Sequence, residues 1–176
     1  ETPADDAEVV ATAVNRARER VRALISVGGS TGPEHFHREL GQILYTGCGV
    51  TRTAEGLTEA IDRIRDLRSR FWADLRVTGT DAQLNQVLEL SGRVADFLEL
   101  AELMCVDALD RDESCGAPFR TEHQAPAGEA LRTVATWCFT SAWESDGDDR
   151  GGPRSFIRHA EPLTFEAVGL TTRDYR

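Results

Sequence analysis

Apolar residues recur at three- and four-residue steps through most of the first 112 positions, the spacing that lines one face of a helix. Val9, Val10, Ala13, Val14, Ala17, Val21, Leu24 and Ile25 predict a helix from about Asp6 to Val27, ended by Gly28-Gly29. Thr31-Gly32-Pro33-Glu34 predicts the start of a second helix, with Pro33 in the first turn and Glu34 placed for a capping box with Thr31. It should reach about Thr46 and stop at Gly47 and Gly49. Leu57, Ile61, Ile64, Leu67, Phe71 and Leu75 mark a third helix of about 20 residues. Thr80-Asp81-Ala82-Gln83 reads as a capping box opening a fourth that ends near Asp112. At about 30 residues this last helix would span roughly 45 Å. Its middle, Phe97 to Met104, carries apolar side chains on more than one face, which calls for a second packing partner: the folded-back tail, a further domain, or both.

The period changes after Glu113. Val134, Thr136, Cys138 and Thr140 alternate with Ala135, Trp137, Phe139 and Ser141, and the acidic, glycine-rich run 145–152 precedes Phe156-Ile157-Arg158-His159. This predicts two short strands joined by an exposed loop. The expected fold is therefore mainly α: an up-and-down antiparallel bundle of three long helices and a shorter one over 1–112, with a motif loop and β-hairpin tail over 113–176 packed on it as part of the same domain.

Composition narrows the function. The chain has 176 residues, 40% of them hydrophobic, enough for one buried core. Its net charge of −10 repels phosphate backbones and anionic headgroups, which disfavours nucleic acid and direct membrane binding. No apolar run of about 18 residues and no apolar signal segment occurs, and the opening Glu1-Thr2-Pro3 suggests a soluble chain that begins mid-protein. Cys48, Cys105, Cys115 and Cys138 lie 57, 10 and 23 positions apart, a spacing poor for zinc and expected of reduced thiols in a cytoplasm. His35 and His37 point to different helix faces and do not form a metal pair. The acidic run 146–149 lacks the ligand alternation of a calcium loop. Cys115 with His123 eight positions on admits a thiol-nucleophile reading, against the plainer one of a buried or interface thiol. The Gly28-Gly29 and Gly47-Cys48-Gly49 turns lack the strand-and-helix context of a dinucleotide site. Neither catalytic, cofactor-binding nor metal-binding residues are expected within the chain.

The stretch Glu113-Ser114-Cys115-Gly116-Ala117-Pro118-Phe119-Arg120 resembles the Glu-Ser-(Arg or Cys)-Gly-(Ala or Gly)-His-(Phe or Ala)-Arg signature in the C-terminal region of succinate dehydrogenase and fumarate reductase flavoprotein subunits. Further blocks follow in the same order. Phe36 to Leu44 with Cys48 to Arg52 is similar to that family's "FHRELGxIM…CGMxR". Leu84 to Glu89 and Asp96 to Met104 are similar to "LNQELE…DFLELGELM", and Glu161 to Glu166 with Leu170 to Tyr175 to "EPLxFExVxLTxRxY". The likeness runs from about His35 to the end and is greatest to the long form of the subunit.

The resemblance implies the C-terminal helical domain of an FAD-containing subunit that interconverts succinate and fumarate and passes electrons to iron–sulfur clusters and quinone. The flavin-binding and capping domains would lie N-terminal to it, so the chain alone would be inactive. Implied partners are those two domains, the iron–sulfur subunit and, indirectly, a membrane anchor, with self-association of the isolated chain. The implied place is cytoplasmic, at the inner face of the cell membrane. Glu113, Ser114, Cys115, Gly116 and Arg120 form the family motif, with Glu113 and Arg120 the candidates for interdomain contact. Pro118 stands where relatives carry His, and Thr133 to Cys138 where they often carry an acidic stretch, which leaves room for a divergent paralogue with altered direction or substrate preference. A free-standing helical interaction module of the same ancestry is the alternative, and an aspartate oxidase origin a weaker third.

Overall fold

A computed structural model describes residues 7–115, 118–147, 152 and 154–169. The elements are α1 (Ala7–Ser26), α2 (Pro33–Gly47), β1 (Thr51–Arg52), α3 (Ala54–Asp74), α4 (Gln86–Asp110), β2 (Phe119–Arg120), α5 (Val134–Trp137), β3 (Phe139–Gly147) and β4 (Arg154–Pro162). The mainly helical architecture with a C-terminal hairpin is as expected.

The periodic positions of α2, α3 and α4 make the core. Phe36, Leu40 and Ile43 interlock with Leu57, Ile64, Leu67 and Phe71 and with Val94, Leu98 and Cys105, all essentially without solvent contact. The Phe36 and Phe71 rings meet edge to face at 5.3 Å. Helices α2 and α3 run antiparallel. At one end the Thr31 hydroxyl donates to Asp74 (2.6 Å) and the Arg76 amide to the Thr31 carbonyl (2.8 Å). At the other, Gly47 sits so close to α3 that a Cβ would fall 2.7 Å from that of Ala60. Gly29 is equally constrained, since its Cβ would lie 2.2 Å from the Asp74 carbonyl carbon.

Five expectations are corrected. Thr31 does not cap α2: the N-cap is Gly32, without a side-chain bond, because the Thr31 hydroxyl is committed to Asp74. Helix α4 does not open at Thr80. Asn85 caps it, accepting from the Leu88 amide (3.1 Å) while its own amide donates to the carbonyls of Thr78 (2.8 Å) and Thr80 (3.1 Å). One side chain closes both the loop and the helix, so α4 has 25 residues and spans about 38 Å. Val134–Trp137 is a helical turn, not a strand, because the Thr136 and Trp137 amides both donate to the Thr133 carbonyl (2.9 and 3.0 Å). Pairing starts at Phe139↔Pro162 and runs to Gly147↔Arg154, so Ser145 to Gly147 belong to β3. Residues 148–151 of the expected acidic loop lie outside the described residues.

Helix α1 is the fifth departure. Its apolar face predicts burial, yet Val9 is 64% and Val10 54% exposed, and Leu24 alone enters the core. Leu24 and an Arg20–Asp96 ion pair join the C-terminal half of the helix to the core and to α4.

Candidate functional site

The motif loop is a junction between four elements. Ser114, fully buried, spans Arg120: its hydroxyl donates to the Arg120 carbonyl (3.0 Å) and accepts from the Arg120 amide (2.8 Å). That clamp ties the two ends of the motif loop together. It presents Phe119 and Thr121 to β1, with amide bonds to the Val50 and Arg52 carbonyls of 2.8 and 3.0 Å.

The Arg120 side chain, 5% exposed, is aimed at the C-terminal end of α4. One of its terminal nitrogens lies 2.9 Å from the Ala108 carbonyl, 3.2 Å from that of Leu109 and 3.3 Å from that of Arg111. A helix end leaves such carbonyls without partners and carries partial negative charge, so a buried guanidinium there satisfies both needs. Arg120 Nε donates to Glu122 (3.2 Å). The other Glu122 oxygen accepts from the Ala54 amide (2.6 Å) in the first turn of α3. That amide bond, ahead of Arg120, holds the Glu122 carboxyl below the usual carboxylate range.

Glu113, 4% exposed, joins the loop to the tail by accepting from Arg111 Nε (2.9 Å) and from the Thr133 amide (2.7 Å). Glu113, Ser114 and Arg120 thus come together, and their hydrogen bonds described above lie within the chain. Cys115 is half-buried at the loop's edge and Pro118 is exposed. Gly116 lies outside the described residues. His123 turns to Asp112 at 3.6 Å, and among the described residues no hydrogen bond joins it to Cys115, so the pair is not assembled as nucleophile and base.

Beside the loop a cleft of about 340 Å³ is lined by Cys48, Arg52, Asp107, Arg111, Cys115 and Pro118, among others. It does not fit a flavin dinucleotide. The described residues contain no strand, glycine-rich turn and helix in sequence, and the starts of α3 and α4 are closed by Thr53 and Asn85.

Two features escaped the sequence reading. Glu102, wholly buried, accepts from Arg65 Nε (2.7 Å) and pairs with Arg68, which is 2% exposed and also donates to the Gly152 carbonyl (2.8 Å). Its one signal was an acidic residue inside the apolar run Leu98 to Met104. The tail lies on a polar side of α4, with Trp143 Nε1 to Asp107 (2.7 Å), Arg154 to Glu99 (3.1 Å) and Arg158 paired with Asp110. Phe97, Leu100 and Met104 stay open, and with His37, Leu40 and Leu44 they line an apolar groove of about 190 Å³. The described residues of the tail therefore do not cover that second apolar face.

Residues 37–175 match the family described as "Fumarate reductase flavoprotein C-term". The fumarate reductase flavoprotein subunit of Escherichia coli is 31% identical over 104 residues, 59% of this chain and 17% of that protein. The succinate dehydrogenase flavoprotein subunit of Bacillus subtilis is 26% identical over 110 residues, 62% and 19%. The fold is shared with a mutant E. coli quinol fumarate reductase, at TM-score 0.76 and 24% identity over 95% of this chain and 27% of that one. It is shared too with a Mycobacterium smegmatis Sdh1 complex in the apo form, at TM-score 0.72 and 23% identity over 88% and 25%. The chain therefore spans about a fifth of the length of the curated relatives it matches.

Proposed function

The chain belongs to the C-terminal family of fumarate reductase flavoproteins, and from that premise we propose that it is the helical domain completing the FAD-containing subunit of a succinate dehydrogenase or fumarate reductase. The observation that carries this reading is the family match across residues 37–175, together with alignments to the curated relatives that cover only 17% and 19% of them. The flavin and the reacting groups would then be supplied by domains preceding this one. The domain's own work is to shape a surface: Glu113, Ser114 and Arg120 brace the two ends of the motif loop, and Cys115 and Pro118 beside it face the flavin and capping domains.

The open stripe of Phe97, Leu100 and Met104 supports the same reading, as does the uncovered N-terminal half of α1. Apolar faces of this kind mark contacts with another domain or subunit, the iron–sulfur subunit included, and would drive self-association of the isolated chain. None of the described helices is long and apolar enough to cross a membrane, so membrane attachment on the cytoplasmic side would pass through partner subunits.

The test is to immunopurify the native protein with antibody raised against this chain. A longer polypeptide carrying FAD that interconverts succinate and fumarate with a dye acceptor is the expected result. A colourless polypeptide of 176 residues with neither activity would overturn it and leave a free-standing helical module.

A further inference from the structure

Arg52, Arg111 and Arg120 line the same cleft of about 340 Å³, in a chain whose net charge is −10. Arg52 and Arg120 are register partners in the parallel β1–β2 pair, so their side chains leave the same face of that ribbon. Arg120 reaches on to the end of α4, where one terminal nitrogen lies 3.3 Å from the Arg111 carbonyl. Strand register and helix end together gather the three residues at one wall.

Their bonds within the chain leave donors over. Arg52 gives Nε to the Gly49 carbonyl (2.9 Å), Arg111 gives Nε and one terminal nitrogen to Glu113, and Arg120 gives Nε to Glu122 and one terminal nitrogen to the α4 carbonyls. Among the described residues, both terminal nitrogens of Arg52 and one each of Arg111 and Arg120 have no hydrogen-bond partner, although the Arg120 side chain is only 6% exposed. Two carboxylates share the lining. Arg111 and the Thr133 amide take both oxygens of Glu113, and Trp143 Nε1 takes one of Asp107. One open carboxylate oxygen is thus set against four guanidinium nitrogens, and a charged donor withdrawn from water without an acceptor is costly.

We propose that this cleft binds one aliphatic carboxylate group, held end-on by the two terminal nitrogens of Arg52 and completed by the spare nitrogens of Arg111 and Arg120. A guanidinium fork matches the two oxygens of a carboxylate. A phosphate dianion would set a second negative charge against Asp107 and Glu113 and is disfavoured. Met104, Ala108 and Pro118 supply an apolar wall for a short carbon chain, and the volume is that of a small-molecule site. The carboxylate belongs to a free small acid or to an Asp or Glu side chain of a domain packed on this face. Every donor lies in this chain, so the site does not depend on the flavoprotein reading.

The experiment follows modification of individual arginines by phenylglyoxal, mapped by mass in digests of the whole chain, under graded butyrate at constant ionic strength. Butyrate should slow modification of Arg52 and Arg111 saturably, while the exposed Arg63, paired with Glu59, reacts at an unchanged rate. Butyramide, of the same shape without the charge, should protect neither. In Arg52→Gln the butyrate concentration that half-protects Arg111 should rise about tenfold, the loss of one charge-assisted pair. Equal protection by butyramide, protection of Arg63 to the same degree, stronger protection by inorganic phosphate, or none by butyrate would overturn the proposal. The wild-type comparison decides it even where Arg52→Gln does not fold. The native polypeptide then separates the two sources: protection of Arg52 that still requires butyrate assigns a free acid, and protection present without butyrate assigns a side chain of a neighbouring domain.

Discussion

Between α2, α3 and α4 the contacts are apolar and deep, and the charged groups taken inside, Arg68 and Glu102, answer each other. Beyond Glu113 the chain is held by charged side chains and backbone groups. Arg120 closes a helix end, Glu122 starts a helix, Glu113 fastens the tail, and Trp137 lies 5.8 Å from the Arg111 guanidinium and 5.3 Å from that of Arg158. The tail's own apolar residues, Ile157, Leu163 and Phe165, remain about half exposed. The first region hides surface. The second spends its specificity on placing one loop against the first, which is what a domain needs when its working face is a contact surface.

The sharpest break of that contrast is to strand a charge inside the core. Glu102→Ala leaves the Arg68 guanidinium buried without its carboxylate and should cost about 3–5 kcal/mol, read as a lowered urea midpoint. The double variant Arg68→Met with Glu102→Leu should recover most of that loss, because an apolar pair of similar volume removes both desolvation penalties. Should the double variant be as unstable as the single, the pair would have to act through the tail, by the Arg68 bond to the Gly152 carbonyl.

On the tail side, Arg120→Ala removes a donor to three carbonyls at the end of α4 and should cost about 2–3 kcal/mol. The local signature is faster amide exchange near the α4 end and in β2, with the Leu57 to Phe71 core protection unchanged. Arg120→Lys should recover only part, since an ammonium cannot reach the helix end and Glu122 with the fork that Arg120 uses. Exchange rising equally in α3 would mean that the motif loop and the core are one cooperative unit.

How much of each region was legible follows from the same difference. Leu57, Ile64, Leu67 and Phe71 announce α3 because one face repeats, and each repeat is buried. Arg68 and Glu102 were not legible as a pair, since their meeting depends on how two helices are rotated against one another. The starts of α2 and α4 were misread because Thr31 and Thr80 have plausible local partners, while the fold commits Thr31 to Asp74 and gives the capping task to Asn85. In the tail, alternation from Val134 to Ser141 predicted a strand, and turn bonds to Thr133 override its first half. The motif loop was found by its resemblance to a family. Its geometry could not be read, because Arg120 serves carbonyls nine to twelve positions back and Glu122 an amide 68 positions back.

The smallest effect, and the most selective for the junction, is in the acid limb of stability. Glu122 has a folded-state pKa below its ordinary value, because the Ala54 amide and then Arg120 favour its charged form. Its contribution is therefore complete above the unfolded value of about 4.3 and is lost as pH falls through the lower folded value. Glu122→Gln keeps an oxygen for the Ala54 amide and removes the charge. The stability difference between wild type and variant should be constant above about pH 6, shrink below the unfolded pKa, and vanish once the folded carboxyl is protonated too. Asp74 is also held low, by Thr31 and Ser30, but that slope is common to both proteins and cancels in the difference. A difference that persists unchanged into strong acid would place the variant's effect in packing, and the link from tail to α3 would then rest on shape rather than on the charge of Glu122.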